Sequence, residues 1–556
     1  MSTPVAAPAR AHRGTWRWLV ALAATALLVV SGSGLVAFAQ SGAGASKGPA
    51  FVPADAPIYL VARLDMPDGQ VEAVAQFMTA FPGFADAASF DMKATQAVEG
   101  LLAEATGGAV SFSDLQSFAT GEVGLAMSNI AEAAMADEDP AVLVGIAISD
   151  RAAAEAFVDL MIGDDDDLVE TPYGTTSILS DDETAVAVHD EWVLLSQTVE
   201  QVQTGIDVLE GGVPSLADDP GFTTAFARVP PAHLGALYMD IQSFASFIDL
   251  VGEAASGQMG MGFDVEELKA QLPIDMTAYL AAGPDRMTLE AFITPSAQTQ
   301  VMAVGESELA TRFPGDTQLY VETRELGTVL ESALGGLLEM MEEEQAQQVA
   351  PIESILGEPL PTFLDFVSDA SVGASVTSDG LWVGMAAEVT DEEVAAIRID
   401  RILSYARIFA ANDESGVTVA ETTVGDATVT VITLPIDSES MGMPVDIGNT
   451  ISVTVSDGTL LLGTGDFVES ALTQAAADSL ASSSGYTDAL GEETTNSGVL
   501  YANVGSLLTA VDPLISMMVP EWQDIQPYAT AIDRFIAVGS ADADLISARM
   551  TVYVDS

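Results

Sequence analysis

The sequence predicts an α+β protein built as a tandem duplication of a large domain. Each copy is a mainly antiparallel sheet packed with helices, and one N-terminal transmembrane helix precedes the pair. Three observations predict this. The stretch FVPADAPIYLVARLD (51–65) recurs as FPGDTQLYVETREL (313–326), which places Pro53 on Pro314, Asp55 on Asp316, Tyr59 on Tyr320 and Arg63 on Arg324. Short alternating strands are punctuated by Asp-Gly turn signals, a pattern of hairpins rather than parallel crossovers. An uncharged apolar run, 18–39, follows a basic leader.

Residues 1–17 form that leader, with Arg10, Arg13 and Arg17, and belong on the cytoplasmic side by the positive-inside bias. The run from Trp18 to Ala39 is twenty-two residues long. At about 1.5 Å per residue it reaches roughly 33 Å, enough to cross a bilayer core. The alternative is a signal sequence cleaved near Ala39: Ala37-Phe38-Ala39 matches a cleavage site, and Ser31 to Gly34 interrupts the apolar run. The run exceeds a usual signal core, which favours a retained anchor. Both readings put residues 51–556 outside the cytoplasm, behind a flexible tether at 40–50.

The duplication extends through the exported region. VAVHDEWVLLS (186–196) matches VTVSDGTLLLG (453–463), LADDPGFTTAF (216–226) matches LASSSGYTDAL (480–490), and LGALYMDIQSFASFID (234–249) matches SGVLYANVGSLLTAVD (497–512). The last pair sets Gly235 on Gly498, Tyr238 on Tyr501, Ser243 on Ser506 and Asp249 on Asp512. VGLAM (123–127) lies against VGASV (372–376). Repeat one is therefore 51–295, the connector 296–311, and repeat two 312–556.

Within each repeat the elements follow from periodicity. Residues 58–64 alternate as a strand with unlike faces. Helical stretches follow at 71–80 and 94–105, then strands near 121–127 and 141–149. In repeat two the matching strands are joined tightly by Ser378-Asp379-Gly380, whereas repeat one carries an acidic insertion, 131–140. Thr390 and Glu393 form a capping box, and Ala395, Ile399, Ile402, Ala406 and Phe409 mark one helical face; the repeat-one helix is 151–161. A hairpin at 184–197 answers one at 451–463, and helices follow at 198–209 and 466–477. Strands bearing Tyr238 or Tyr501 lead into helices near Ser243 or Ser506. Terminal strand pairs close each half, 276–283 with 287–294 and 534–540 with 545–554. The β-α-β-β-α opening suggests a split ferredoxin-like unit.

Composition narrows the chemistry. The 556 residues are 49% hydrophobic, so large cores are expected. The absence of cysteine removes disulfides, thiolate metal sites and a cysteine nucleophile. Seventeen basic against eighty-two acidic residues give a net charge of −65, which repels nucleic-acid phosphates and anionic lipids. This acidity reads as a solvated surface, or as weak divalent-cation binding.

No catalytic, cofactor-binding or metal-ligating residue stands out. His12 is in the leader. His189 at a hairpin tip and His233 before a strand have no partner at ligand spacing, and their counterparts are Ser456 and Asn496. No G-x-S-x-G elbow or phosphate loop is present. GQMGMG (257–262), with Met259 and Met261, reads as a loop. Asp164 to Asp167, Asp181 to Glu183 and Glu342 to Glu344 lack the calcium-loop spacing and read as solvated acids. The repeated residues have structural readings: Pro53 and Pro314 fix φ before a strand, Asp55 and Asp316 make Asx-type turns, Gly235 and Gly498 permit close backbone approach, and Tyr238 and Tyr501 half-bury a ring.

The N-terminal anchor, the opening P-x-D-x-x-x-Y strand and the long α+β body resemble the bacterial family catalogued as domain of unknown function 3352. The resemblance covers essentially the whole exported region. It implies a membrane-associated envelope protein and supplies no active-site residues. The resulting expectation is a membrane-anchored, non-enzymatic binding or structural module of the cell envelope. Its partner would be an envelope protein or a lipid-like ligand, the latter enclosed in an apolar groove between sheet and helices. The alternatives are a carboxylate- or metal-dependent hydrolase and a cation-dependent surface protein.

Overall fold

The computed structural model describes residues 47–64, 69–84, 111–130, 140–162, 168–181, 184–245, 265–299, 301–306, 308–340, 356–377, 380–411, 415–435, 448–519 and 521–555, with isolated positions between them. The chain divides into two compact units between Thr299 and Gln300. Both are mixed α and β with a large antiparallel sheet.

Unit 1 contains β1 (Ile58–Arg63), β2 (Ala119–Ser128), β3 (Ala141–Ile148), β4 (Val169–Tyr173), β5 (Thr176–Ser180), β6 (Ala185–His189), β7 (Trp192–Ser196), β8 (Gly235–Asp240), β9 (Asp275–Gly283) and β10 (Arg286–Thr294). They pair in the order β4-β5-β6-β7-β3-β2-β1-β8-β9-β10, each neighbour antiparallel. Its helices are α1 (Gln70–Met78), α2 (Phe112–Gln116), α3 (Arg151–Ile162), α4 (Val199–Leu209), α5 (Pro220–Phe226) and α6 (Val265–Gln271). Strand alternation sends Tyr59 and Val61 to one core with Leu194, Tyr238, Val202 and Phe222. Ala62 goes to the other with Val144, Ile146, Val74, Phe112 and Phe157. Helix starts are capped in the ordinary way: Asp219 accepts from the Phe222 amide with Pro220 next in chain, and Thr198 accepts from the Gln201 amide.

Unit 2 contains β11 (Gly305–Glu306), β12 (Leu319–Thr323), β13 (Val367–Thr377), β14 (Gly380–Val389), β15 (Thr418–Val424), β16 (Ala427–Thr433), β17 (Thr450–Ser456), β18 (Thr459–Thr464), β19 (Thr495–Asn496), β20 (Gly498–Ala502), β21 (Ile532–Ala541) and β22 (Ile546–Val554). The main order is β15-β16-β17-β18-β14-β13-β12-β20-β21-β22, again antiparallel throughout. β11 pairs separately with β19. Its helices are α7 (Leu326–Met340), α8 (Glu392–Ala410), α9 (Phe467–Thr473), α10 (Ser484–Leu490), α11 (Val504–Met518) and α12 (Trp522–Ala529).

Position by position, the pairings recur. Tyr59 lies opposite Tyr238, and Tyr320 opposite Tyr501. Pro53 bridges Ser215 and Pro314 bridges Ser479. The Leu216 amide donates to the Val52 carbonyl at 2.8 Å, and the Leu480 amide to the Phe313 carbonyl at 2.8 Å. The same aromatic contacts follow: Phe222 is edge-on to Tyr59 and Tyr238, and Tyr486 is edge-on to Tyr320 and Tyr501.

Several local expectations change. Asp391, not Thr390, caps α8, accepting from the Glu393 and Val394 amides; Thr390 instead donates to the Phe366 carbonyl. The buried side of α8 runs through Ala395 and Leu403, leaving Ile402 and Phe409 exposed. The hairpins β4-β5 and β15-β16 were not anticipated. The ferredoxin-like assignment fails because β1 and β2 pair antiparallel, whereas a βαβ crossover needs parallel strands. The turn after Pro53 is closed by backbone, from the Ala56 amide to the Pro53 carbonyl, and Thr317 does the same to Pro314. Tyr238 and Tyr501 are fully rather than half buried. Tyr59 faces Ala126 while Tyr320 faces Gly373, a two-residue offset from the aligned VGLAM and VGASV segments that preserves which face each side chain takes.

The anchor at 18–39, GQMGMG, Asp164 to Asp167, Asp182, Glu183 and Glu342 to Glu344 lie outside the described residues, as do most of the 131–140 insertion and of the 94–105 helix. Among the described residues, no helix is long and apolar enough to cross a membrane.

Candidate functional site

Equivalent ends of β1 and β12 carry buried polar groups. In unit 1, Arg63 is opposite Glu122 in the strand register, and both are buried. His233, also buried, has Nδ1 2.6 Å from the Pro230 carbonyl; burial first, and then the Arg63 charge, pull its pKa below the ordinary value. In unit 2, Arg324 donates to Glu322 at 2.6 Å, Asp369 at 2.9 Å, the Asn496 side chain at 3.1 Å and carbonyl at 3.1 Å, and the Gly305 carbonyl at 3.3 Å. Burial alone would lower the Arg324 guanidinium, but Glu322 and Asp369 beside it hold it above its usual value. Gly498 lets the strands close in here, since a Cβ would sit 2.8 Å from the Glu322 carbonyl oxygen. This arrangement satisfies a buried cation and fastens β11 and β19 to the sheet. It reads as a structural clamp.

The remaining sequence candidates are dispersed. His189 is buried, with Nδ1 2.6 Å from the Thr176 hydroxyl and Nε2 3.6 Å from the Asp190 carboxylate. Asp55 lies exposed on a cleft of about 490 Å³ in unit 1, together with Pro53, Pro57, Asn129, Thr204, Ser243 and Phe244. Among the described residues, no three histidines or carboxylates converge at metal-ligand spacing.

A different surface stands out in unit 2. One face of its sheet packs Tyr320, Tyr501, Ile536 and Val538 into a closed core. The opposite face begins as a second core, where Ala395 and Leu403 of α8 cover Ala370, Ala387, Val453 and Leu460. It then continues only partly covered. Met550, Leu500, Val321, Leu319, Val372 and Val383, on β22, β20, β12, β13 and β14, are 36–46% exposed. The register makes them neighbours: Met550 opposes Ala537, which opposes Leu500, then Val321, Val372 and Met385. A parallel row runs Val552, Phe535, Ala502, Leu319, Ala374, Val383. Neither row contains a charged or hydrogen-bonding side chain, in a protein of net charge −65.

The adjoining helix is equally apolar. α11 packs against β13 and β21, yet none of its residues is buried. Its one charged residue, Asp512, is occupied by Trp522 Nε1 and Gln526 Nε2, each at 2.7 Å. Full burial of a valine or leucine side chain stabilises by about 1.5–3 kcal/mol, so the six exposed side chains leave roughly 4–7 kcal/mol unrealised. Single exposed apolar groups are ordinary; a contiguous band is the signature of a binding surface. In unit 1 the described exposed large apolar groups (Met92, Leu160, Val169, Ile274 and Leu289) are scattered over separate elements. Leu60 and Leu237 at the centre of its corresponding face are only partly exposed, and Leu125 and Met127 pack on its core. No sequence periodicity marked this band, because a half-open strand alternates exactly as a covered one does.

A sequence profile of DUF3352, a protein family of unknown function, matches residues 18–552. Three solved structures, crystal forms III, I and IV of TP0453, are similar at 12%, 11% and 12% identity. They cover 45% of this chain and 81%, 80% and 81% of their own, each with a TM-score of 0.24. No curated protein matches.

Proposed function

This chain belongs to the DUF3352 family, whose function is unknown, and from that premise we propose a membrane-tethered, extracytoplasmic, non-enzymatic module of the bacterial cell envelope that binds a lipid-like ligand. The observation that carries the reading is the uncharged apolar band across β22, β21, β20, β12, β13 and β14. Such a face offers dispersion and desolvation but no groups for acid–base, nucleophilic or metal chemistry. Tethering rests on the sequence alone: the basic leader, the 18–39 apolar run and the 40–50 linker.

The same reading takes the two units as copies of one domain. Ten strands in one order, the paired tyrosines and the two proline bridges support it. The copies have diverged in use: unit 1 serves as scaffold and unit 2 as the binding half.

Two measurements test this. Fractionation of cells expressing the full chain should leave it in the membrane pellet through a carbonate wash, and removal of residues 1–39 should release it. The purified full chain should enhance the fluorescence of Nile red, an uncharged apolar dye, and Val321→Lys should remove most of that enhancement. A wild-type chain that leaves the dye dark would contradict the binding function.

A further inference from the structure

We propose that the occupant of the open unit-2 face is one long alkyl chain bearing an uncharged or zwitterionic headgroup, laid across the strands from β22 to β14. This rests on the proposed binding function and narrows it to a ligand class.

The dimensions come first. Six strands at about 4.8 Å spacing give a band of roughly 24 Å from Met550 to Met385. One leaflet of a ~30 Å bilayer core gives a single chain about 15 Å, so the band can hold a long chain along most of its length. Its relief suits a chain. Ala537, Ala502 and Ala374 alternate with larger neighbours in the two rows, leaving shallow positions between Leu500, Leu319 and Val383.

The chemistry is equally selective. The strands of the band from β21 to β14 each already have a hydrogen-bonded neighbour on both sides, so an extended peptide finds no free ladder among them. What remains is contact with methyl and methylene groups. A second copy of the chain brings its own charge of −65, and pressing two such faces together opposes that repulsion. The same field disfavours a fatty-acid carboxylate and tolerates a headgroup with no net charge. A neutral or zwitterionic single-chain lipid meets all of these conditions.

The experiment uses the delipidated full chain and 16- and 12-carbon lysophosphatidylcholines below their micelle concentrations, with palmitate as the anionic arm and displacement of Nile red as readout. The 16-carbon lipid should bind one to one. Shortening by four methylenes should weaken binding about tenfold, the effect of withdrawing about half of each methylene from water. Palmitate should bind more weakly, and the gap should narrow as salt rises. Val321→Lys should weaken binding by at least about tenfold without shifting the melting temperature, and Val372→Ser, a milder change, should weaken it less. Ile408→Lys on the outer side of α8 should leave it unchanged.

Dye binding with no dependence on chain length overturns the alkyl ligand while sparing the apolar binding function. So does a wild-type dimer in sedimentation that Val321→Lys splits, because the face is then covered by a second copy. If neither the dye nor any chain binds, and no dimer forms, both readings fall.

Discussion

Tyr59 and Tyr320 stand at the same place in the two units, each opposite a second tyrosine, yet their hydroxyls differ. Tyr320 donates to Glu322 at 2.7 Å. Tyr59 is as deeply buried, and its hydroxyl has no hydrogen-bond partner among the described residues. The reason is one residue: Val61 occupies the position that Glu322 takes in unit 2. Burial raises both phenols, with Glu122 adding to the effect on Tyr59 and Glu322 to that on Tyr320. The strand register therefore sets the ring positions in both units, and the polar lining beneath them differs. Unit 2 has gathered the fuller ionic clamp around Arg324 on one side of its sheet and the uncharged band on the other. Unit 1 has neither in the same form.

The largest effect should come from the clamp. Arg324→Ala strands Glu322 and Asp369 in the interior and should cost unit 2 about 3–5 kcal/mol. Urea unfolding followed at Trp382 and Trp522 should show the unit-2 midpoint fall while that of unit 1, followed at Trp192, stays put. A common shift of both would mean that the units do not unfold separately.

The tyrosine pair gives a smaller and more discriminating test. Tyr320→Phe removes a hydrogen bond to a charged acceptor, worth about 1.5–3 kcal/mol. Tyr59→Phe deletes an unsatisfied hydroxyl and should be neutral or slightly stabilising. Equal losses at the two sites would break the contrast.

Smallest is a pH effect confined to unit 1. His233 has a depressed folded pKa, first through burial, and so binds its proton less readily when folded than when unfolded. The stability it lends is present above its unfolded value of about 6.5 and is lost as pH falls through the lower folded value. Unit 2 has Asn496 at the matching place and lacks this contribution. His233→Asn should flatten the decline of unit-1 stability on acidification below pH 6.5, measured as the urea midpoint against pH. An unchanged slope would assign that decline to other groups.

Much of the fold was legible because strand signals are local. Alternation and turn chemistry located β1, the β6-β7 hairpin and the terminal pairs to within a few residues. The β15-β16 hairpin was missed although TVAETTV and ATVTVIT flank Gly425-Asp426, with Gly425 at φ 59°; its outer residues are polar threonines rather than apolar ones, and hydrophobic alternation was the signal in use. α8 was misread on its face because it is apolar on two sides, Ala395–Leu403 inward and Ile397, Tyr405, Ile408 and Phe409 outward. Periodicity finds the apolar residues, and tertiary packing decides which of them are covered. The apolar band was illegible for the same reason. Val321 and Leu500 are ordinary strand residues until the register sets them side by side and packing leaves them partly exposed.

The most direct test of the account is where an apolar probe settles. A small uncharged photoreactive probe, cross-linked to the purified full chain and mapped by mass spectrometry, should label β12, β13 and β20 around Val321, Val372 and Leu500, with unit 1 at background. Labelling of the equivalent unit-1 strands around Leu60, Leu125 and Leu237 to the same extent would contradict the division into a scaffold half and a binding half.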